Sequence, residues 1–323
     1  MAVSVAILSW NIQILGETKI SRLLCPNILS AVIAGSGADV VAIQEPVYNY
    51  ASQVASELIA ALKILNQNDW AGSYLQALPG GRDRDGYLFM WRTGKYKQQV
   101  INGNNVQGNF TGDFPTNDSP RNGRRVGYVG LTLADGSHPF IVAAYHAPTQ
   151  ASAGLGSAPA TALVAIKDQA GQLTTYNDGG AHAYEARFLC ADFNLDINEG
   201  TNNATWYQPA MAATSTTNVT TDKTILFPAK ELPNPPPTNS ADYLAKNLDN
   251  VLAGPSGSIT GSSVLNTIDF VSEKSVSTVI EAFHATNELP KWWNPKDVYT
   301  RYDFALRYIS DHLPVLATLT LVP

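Results

Sequence analysis

Four short apolar segments, spread along most of the chain, each lie next to polar residues suited to acid–base chemistry. Asn11 follows the first segment, Glu45 the second and Asp192 the third, while Asp311 and His312 come just before the fourth. Apolar runs bounded in this way predict buried β-strands. Because the polar residues lie at strand ends, we expect them to converge on one site.

Hydrophobic periodicity predicts an α/β fold along most of the chain. Strands are predicted at 3–10, 38–44, 86–92, Val126–Leu133, Phe140–Tyr145, Phe188–Ala191, around Val251 and Leu252, and at Val315–Leu321. Helices are predicted at about 20–36, at Tyr50–Leu65 and at 161–175. The stretch from about 198 to 247 is rich in Asn, Thr and Pro and predicts a loop insertion, because strand motifs resume beyond it. We therefore expect a single domain over residues 1–323.

The composition indicates a globular protein with a continuous core. Hydrophobic residues make up 45% of the 323 residues, which is ample for such a core. Cys25 and Cys190 both lie in apolar contexts, which favours buried thiols over a disulfide framework. The first apolar stretch alternates as a strand and does not look like a signal peptide. We expect a monomer without a transmembrane segment, either cytoplasmic or a secreted protein or effector whose leader is absent.

The net charge of −6 argues against a protein that coats nucleic acid nonspecifically, since such binding rests on clustered Lys and Arg. It does not exclude a nuclease that makes a few phosphate contacts beside a divalent cation. Arg121, Arg124 and Arg125, together with Arg82 and Arg84, would supply a local basic rim.

In their order along the chain, these motifs resemble the endonuclease/exonuclease/phosphatase superfamily, and within it the deoxyribonuclease I group. The matching motifs are Trp10-Asn11-Ile12-Gln13 with the residues up to Lys19, Ile43-Gln44-Glu45, Tyr87-Leu88-Phe89, His146-Ala147-Pro148, Asp192-Phe193-Asn194, Leu248-Asp249-Asn250 with the residues up to Gly254, and Ser310-Asp311-His312. The resemblance implies a DNase I-like, four-layered α/β sandwich, in which two mostly antiparallel sheets pack face to face with helices outside.

The chemistry implied by this resemblance is metal-assisted hydrolysis of a phosphodiester. Mg²⁺ or Mn²⁺ would be bound by Glu45, Asn11 and Asp311, since hard cations prefer oxygen ligands. A structural Ca²⁺ is a further expectation from the family. Asn11 would also contact the substrate phosphate.

The resemblance also assigns the acid and the base. His312, oriented by Asp311 or Asp249, would take the proton from the attacking water, and His146 would protonate the leaving oxygen. Asp85 matches the family position that polarises this second histidine. Members of the family differ in which group is assigned as acid and which as base, so the constellation is predicted more firmly than each assignment.

Phosphate binding is expected from Arg124 and Asn194. Asp192 and Asn194 would position phosphate, water or metal. Arg121 and Arg125 compete with Arg124 for the family's phosphate-contacting arginine, because the alignment is loose before the strand at Val126.

Two departures from the deoxyribonuclease I pattern bear on the substrate. Pro46-Val47-Tyr48 stands where those relatives carry a groove-inserting arginine, and Asp83 replaces a DNA-contacting tyrosine. Lys291-Trp292-Trp293 could contact bases instead, or it could form a hydrophobic mini-core, which is the favoured interpretation.

The leading functional hypothesis is a divalent-metal-dependent endonuclease that cleaves DNA with low sequence specificity, with similarity to the catalytic subunits of cytolethal distending toxins. The alternative is a phosphoinositide or sphingomyelin phosphodiesterase or phosphatase that uses the same site. A catalytically inactive binding module is disfavoured, because the metal, acid and base positions are all present.

Overall fold

The computed structural model describes residues 2–20, 24–77, 85–101, 103–109, 124–147, 186–200, 220–253, 257–272, 279 and 293–321. In chain order its strands are β1 (Val3–Leu15), β2 (Val40–Val47), β3 (Trp70–Gln76), β4 (Asp85–Arg92), β5 (Tyr96–Gln98), β6 (Val100–Ile101), β7 (Asn104–Asn105), β8 (Gln107–Asn109), β9 (Gly127–Leu133), β10 (Phe140–His146), β11 (Ala186–Asp192), β12 (Asp249–Ala253), β13 (Gly257–Val264) and β14 (Val315–Leu321). Its α-helices are α1 (Glu17–Ile20), α2 (Leu24–Ser36), α3 (Ala51–Ile64), α4 (Thr267–Phe270) and α5 (Val298–Phe304), and a π-helix follows at Ala305–Ile309.

Two sheets pack face to face. Within the described residues, the first sheet has the strand order β13-β14-β1-β2-β4-β3, and the second has the order β12-β11-β10-β9-β5, with β8 also paired to β9. The β1–β2 and β10–β11 pairs are parallel, whereas the other pairs in these two sheets are antiparallel. This arrangement confirms the predicted α/β fold class of two packed, mostly antiparallel sheets with helices outside.

A central apolar core fills the space between the sheets. Side chains of β1, β2, β4 and β14 meet those of β9, β10, β11 and β12 there. All seven residues of β10 are buried. Alternate residues from Phe140 to Ala144 face the central core, and those from Ile141 to Tyr145 belong to an apolar cluster on the opposite face. A strand covered on both faces needs a continuous apolar run, which is why β10 shows no polar alternation.

Helices cover the outer face of the first sheet. The buried residues of α3 form one stripe at helical spacing, from Ala51 through Leu58 to Leu62. This stripe packs with α2 and α5 in a second core cluster. Trp293 belongs to the same cluster and lies against Phe304, with ring centroids 4.5 Å apart. Its packing favours the mini-core interpretation over base contact.

The first strand is longer than the predicted segment 3–10. It continues through Asn11 to Leu15, so Asn11 lies within a strand and not after one. The pairing of β1 with β2 shifts register between Asn11 and Leu15, where Gln13 and Ile14 have φ angles of 44° and 50°. Such a bulge bends the strand locally and redirects its side chains.

Most predicted elements are present. Six predicted strands correspond within three residues at each end to β2, β4, β9, β10, β11 and β14, and the predicted helix at Tyr50–Leu65 corresponds to α3. The helix predicted at 20–36 corresponds to α2, and residues 21–23 of the predicted range lie outside the described residues. Cys25 and Cys190 are both buried thiols outside any disulfide, as predicted. The helix predicted at 161–175 lies outside the described residues, as do Arg82, Asp83, Arg84, Arg121, Lys291 and Trp292.

The described part of the predicted insertion, residues 220–247, is folded against the rest of the chain. Tyr243 is fully buried and stacks on Tyr302 of α5, with ring centroids 4.5 Å apart. Ile225 forms an isolated β-bridge with His312. The single-domain organisation stays a prediction. Among the described residues, no helix combines the length and the apolar character that a membrane span requires.

Candidate active site

Strand pairing brings the predicted site residues to one edge of the two sheets. Because β10 and β11 are parallel, His146 pairs with Asp192 at their common end, and Asp192 also pairs with Asp249 at the start of antiparallel β12. In the first sheet, Asn11 lies beside the end of β2, which carries Glu45. Residues far apart in sequence therefore meet here.

Asn11 connects the two sheets at this edge. Its side chain is fully buried, and Nδ2 donates to Glu45 Oε1 and to Asp192 Oδ2, both at 2.9 Å. Its Oδ1 accepts a hydrogen bond from the backbone N–H of Gln13 at 2.9 Å. One amide group thus holds together two carboxylates that would otherwise repel each other. This bridging comes in addition to the predicted metal and phosphate contacts of Asn11.

His146 lies among three carboxylates. Its Nδ1 is 3.4 Å from Asp85 Oδ2, while its Nε2 is 3.3 Å from Glu45 Oε1 and 3.6 Å from Asp192 Oδ2. Arg124 Nη2 forms an ion pair with Asp85 Oδ2 at 2.6 Å, and Arg124 Nη1 is 3.4 Å from His146 Nε2. Of the three candidate arginines, Arg124 is therefore the one that the described structure brings into the site.

The surroundings of Asp85 keep it ionised. Burial raises the pKa of this carboxyl, but the hydrogen bond from His146 and the charge of Arg124 outweigh burial and hold the pKa below its ordinary value. Asp85 can therefore act as a constant acceptor for Nδ1 of His146.

His312 forms a second imidazole–carboxylate pair. Its Nδ1 is 2.9 Å from Asp249 Oδ2, and its Nε2 is 3.8 Å from Asp192 Oδ2 and 4.0 Å from Asp311 Oδ1. Of the two predicted orienting carboxylates, Asp249 is the one bonded to the ring. Asp311 instead accepts a hydrogen bond from Gln13 Nε2 at 3.0 Å.

Opposing effects determine the pKa values of this pair. Burial lowers the pKa of His312, but the negative charges of Asp249 and Asp192 outweigh burial and raise the pKa above its ordinary value. Burial raises the pKa of Asp249 to about 6, against the opposing charge of His312. A raised proton affinity at a ring whose Nδ1 is held by a carboxylate is the property required of a general base.

Backbone geometry fixes two further predicted residues. Glu45 and Asn194 have φ angles of 64° and 51°, in the left-handed region that residues other than glycine rarely adopt. The backbone N–H of Asn194 donates to Asp192 Oδ1 at 2.9 Å, and its side-chain Nδ2 donates to the carbonyl of Ala147 at 2.6 Å. Strained backbone of this kind clusters at functional sites.

Within the part of the chain that the structure describes, two overlapping groups of side chains could hold a metal ion. The ligand atoms of Glu45, His146 and Asp192 lie within 4.8 Å of one another, as do those of Asp192, Asp249 and His312. Asp192 belongs to both groups. Asp311 Oδ1 is buried without a hydrogen-bond partner among the described residues, and a nearby cation would offset the cost of burying it.

The residues present therefore fit the predicted cation. Of the predicted ligands, Glu45 belongs to the group with His146 and Asp192, and Asn11 donates a hydrogen bond to Glu45. Asp311 belongs to neither group, so its predicted metal contact has less geometric support than that of Glu45.

Sequence reasoning missed one residue that supports the site. Thr224 is fully buried, and its Oγ1 accepts hydrogen bonds from the backbone N–H groups of Leu248 at 2.9 Å and Asp249 at 3.0 Å. The carbonyl of Thr224 accepts from the backbone N–H of Leu313 at 2.7 Å. Thr224 thus connects the segments that carry Asp249 and His312. Its place in a Thr-rich insertion gave no sequence signal for this role.

The two-sheet fold with carboxylates and imidazoles at one edge is typical of metal-dependent phosphoester hydrolases. The chain belongs to the endonuclease/exonuclease/phosphatase family, whose sequence model matches residues 8–312. This match confirms the resemblance found in the sequence. Members of the family are metal-dependent hydrolytic phosphoesterases. The fold and the family of this chain are therefore those of enzymes.

Solved structures agree with this assignment at the level of the fold. The chain is similar to an endonuclease/exonuclease/phosphatase family protein from Bacteroides thetaiotaomicron, with 12% identity, a TM-score of 0.59, and coverage of 100% of this chain and 99% of the other. A mannosyl-6-phosphatase from Bacteroides thetaiotaomicron VPI-5482 gives 12% identity, a TM-score of 0.58, and coverage of 98% and 99%. Humanized TDP2 from D. rerio gives 12% identity, a TM-score of 0.51, and coverage of 98% of both chains. The search of curated proteins found no significant match.

Proposed function

We propose that this chain is a divalent-metal-dependent endonuclease that hydrolyses phosphodiester bonds of DNA with low sequence specificity. One observation carries the proposal. The Nε2 atoms of His146 and His312 lie 3.6 Å and 3.8 Å from the same oxygen of Asp192, while a carboxylate faces Nδ1 of each ring. Two oriented imidazoles on either side of one small space suit a reaction that needs both a base and an acid.

His312 is proposed as the general base. Asp249 accepts from Nδ1–H, which leaves the Nε2 lone pair facing the centre of the site. A water molecule beside Nε2 would lose its proton to the ring as its oxygen attacks phosphorus. The imidazolium formed would be stabilised by the carboxylates of Asp249 and Asp192, which lie 2.9 Å and 3.8 Å from its two ring nitrogens.

His146 is proposed as the general acid. The 5′ or 3′ oxygen that leaves phosphorus is a poor leaving group unless a proton reaches it. The Nε2 of His146 faces the same centre, and Asp85 stabilises the protonated ring from the Nδ1 side. The His146–Asp85 pair would therefore deliver the proton that the leaving oxygen needs.

The remaining residues are proposed to hold the phosphate. Arg124 and Asn194 flank the carbonyl of Ala147, at 3.3 Å and 2.6 Å, and so lie on one side of the site. A divalent cation bound by Glu45, Asn11 and Asp192 would supply charge neutralisation of the phosphoryl oxygens in the transition state. The buried position of Asn11 keeps the carboxylates at a fixed separation for this purpose.

The charge of the site favours a diester over a monoester. The described site contains five carboxylates, those of Glu45, Asp85, Asp192, Asp249 and Asp311, which outnumber the positive charges of Arg124 and of one divalent cation. A phosphodiester brings one negative charge, whereas a phosphomonoester brings about 1.5 to 2 at neutral pH. The smaller charge costs less in such surroundings.

Cleavage of supercoiled plasmid tests the proposal. We expect nicking with Mg²⁺ or Mn²⁺, no nicking with EDTA, and activity lower by about 10²–10⁴-fold in His312→Ala. His138→Ala is the matched control, because His138 lies in the turn between β9 and β10, at the strand ends opposite His146. End-group analysis of the products identifies which ester bond breaks. Undiminished nicking by a folded His312→Ala variant would contradict the assigned base.

A second candidate keeps the chemistry and changes the substrate. Pro46-Val47-Tyr48 follows Glu45 directly, at the place where a DNA-binding relative would be expected to carry a cation, and Val47 is buried. Phosphoinositide or sphingomyelin hydrolysis is therefore the alternative, and the same preparations can be assayed for release of the phosphorylated headgroup. Headgroup release without DNA cleavage would favour it.

A further inference from the structure

Two consecutive residues of β1 lie beside the candidate active site in a left-handed backbone conformation. Gln13 and Ile14 have φ angles of 44° and 50°. A β-branched side chain fits this region badly, and glycine, asparagine and aspartate occupy it far more often. The conformation of Ile14 therefore costs free energy that a glycine or an asparagine at this position would largely avoid. We call the irregular part of β1 between Asn11 and Leu15 the β1 bulge.

The N–H groups of the β1 bulge are bonded to side chains of the site. The backbone N–H of Gln13 donates to Asn11 Oδ1 at 2.9 Å, and that of Ile14 donates to Glu45 Oε2 at 3.2 Å. Asn11 and Glu45 are two of the residues proposed to hold the cation. The position of the bulge is therefore tied to the geometry of the cation site.

The carbonyl groups of the β1 bulge are bonded as well. Lys19 Nζ donates to the carbonyls of Ile12 and Gln13 at 3.1 Å and 2.6 Å, and the backbone N–H of Gly16 donates to the carbonyl of Ile14 at 3.0 Å. Strained backbone persists only where the surrounding structure over-determines it. These bonds hold Ile14 in a conformation that its own side chain disfavours.

The side chain of Ile14 contributes little to the described cores. It is 63% exposed and belongs to none of the three apolar clusters formed by the described residues. The side chain of Gln13, in contrast, is held by Asp311, since Gln13 Nε2 donates to Asp311 Oδ2 at 3.0 Å. Core packing therefore does not explain an isoleucine here, and Ile14 is the apolar side chain that the bulge presents to solvent.

Ile14 lies within reach of a substrate bound at Glu45. The backbone nitrogen of Ile14 is 3.2 Å from Glu45 Oε2, and its Cβ is two bonds further, so Cβ lies no more than about 6 Å from that oxygen. The sugar carbons of a phosphodiester are only a few bonds from phosphorus. A nucleoside beside a phosphate held at this carboxylate can therefore contact the side chain of Ile14.

We propose that Ile14 is a substrate-contacting residue that packs against the deoxyribose and base of the nucleoside next to the scissile phosphate. The inference rests on the proposed function. It assigns to Ile14 an apolar contact that the carboxylates and imidazoles of the site cannot make. Binding would remove apolar surface of both partners from water, which is favourable. Because such a contact reads no hydrogen-bonding edge of a base, it agrees with low sequence specificity.

Two substitutions and two substrates test the inference. Ile14→Asn removes the apolar surface but suits the left-handed region, whereas Ile14→Val keeps a β-branched apolar side chain. Each substrate is a short single strand with one phosphodiester between uncleavable methylphosphonate linkages. In the second substrate, propanediol spacers replace the two nucleosides beside that phosphodiester.

The expected result is a loss that depends on the nucleosides. Ile14→Asn should lower kcat/KM for the first substrate by about 10-fold and change that for the second by less than about 2-fold. Ile14→Val should retain at least about half of the wild-type kcat/KM on both substrates. Equal losses of Ile14→Asn on both substrates, or no loss on the first, would overturn the inference.

Urea denaturation separates a substrate contact from support of the fold. Because asparagine suits the left-handed region, the midpoint of Ile14→Asn should be no lower than that of wild type. A midpoint lower by more than about 0.3 M would assign Ile14 to the fold and overturn the inference. Ile64→Asn is the control, since Ile64 is 74% exposed at the end of α3. The next strand begins at Trp70, which pairs with Arg92 at the end of β4 opposite Asp85, so Ile64→Asn should leave cleavage unchanged.

An NMR measurement distinguishes failure of this inference from failure of the proposed function. If the wild-type chain cleaves neither substrate, the endonuclease proposal fails. In that case, and equally if only the second substrate stays intact, nuclear Overhauser effects from the ¹³C-labelled methyl groups of Ile14 decide on the contact. The probes are a thymidine dinucleotide and glycerophosphoinositol, each with Mg²⁺. Effects to thymidine protons would support the contact. Effects to glycerophosphoinositol alone would overturn it and indicate a lipid headgroup site, and the absence of any effect would overturn it outright.

Discussion

Replacement of Thr224 by valine is expected to weaken both the fold and the active site. Valine keeps the shape of threonine but removes the hydroxyl oxygen, which accepts from the backbone N–H groups of Leu248 and Asp249 at 2.9 Å and 3.0 Å. Thr224 is fully buried, so water cannot replace the lost acceptor. Both N–H groups would then lack this partner.

The expected magnitude follows from these two bonds. A buried donor left without a partner costs about 1–3 kcal/mol, so two of them predict a loss of about 2–6 kcal/mol in the free energy of unfolding. Thr224→Ser keeps the hydroxyl and removes one methyl group, which predicts a loss of only about 1 kcal/mol. Serine is therefore the matched control for valine.

Urea denaturation followed by circular dichroism measures both variants. The activity of each should change in the same order, because a displacement of about 1 Å at Asp249 would also misplace His312 and cost about 10²-fold in rate. If Thr224→Val and Thr224→Ser unfold within about 1 kcal/mol of each other, the two hydrogen bonds do not carry the stability assigned to them here.

Three further predictions concern metal binding, capping and packing. Glu45→Gln should raise the Mg²⁺ concentration needed for half-maximal activity by at least about 10-fold, because it removes a charged oxygen ligand; an unchanged Mg²⁺ titration would contradict that role. Asp297→Ala should cost about 1 kcal/mol in urea denaturation at pH 7, whereas Asp297→Asn should cost little. The side-chain and backbone hydrogen bonds from Thr300 lower the pKa of Asp297 below its ordinary value. The cap therefore stabilises the fold at pH values above the ordinary pKa, and this stabilisation is lost as the pH falls through the lowered pKa. If the difference in unfolding free energy between wild type and Asp297→Ala does not shrink in acid, the cap does not have this role. Gly127→Ala should lower the free energy of unfolding by about 1–3 kcal/mol, because the Cβ of the new alanine would lie 2.6 Å from Cδ2 of the Tyr87 ring. An unfolding free energy equal to that of wild type would show that the ring can move aside.

The central strands could be predicted from sequence because they are buried on both faces. A strand such as β10 has no charged or amide residue before its last position. This apolar pattern can be recognised without knowing which strands lie beside it. The strands that the sequence did not predict have a more polar composition. β13 reads Gly-Ser-Ile-Thr-Gly-Ser-Ser-Val and lies at the edge of its sheet, and β3 is only partly buried, so neither has an apolar run to detect.

The sequence motifs named a set of residues that lie close together in the structure, but the contacts among these residues could not be predicted. Asn11 bonds to Glu45, 34 positions away, and to Asp192, 181 positions away. Motif order shows that these residues belong together but gives no information on which oxygen meets which nitrogen. Those contacts depend on how the two sheets pack, which is set by the core and not by the motifs.

The contacts of His312 show how sequence adjacency can mislead at such a site. Asp311 precedes it directly, yet neighbouring side chains in extended backbone point to opposite sides, so the adjacent carboxylate is poorly placed to hold Nδ1. Ser310 fixes this segment, since its Oγ donates to the carbonyl of Asn11 at 2.8 Å and accepts from the backbone N–H of His312 at 3.1 Å. The ring then faces Asp249 on the other sheet. Because His312 lies just before β14 of the first sheet and Asp249 begins β12 of the second, the proposed base is formed only when the two sheets have packed together.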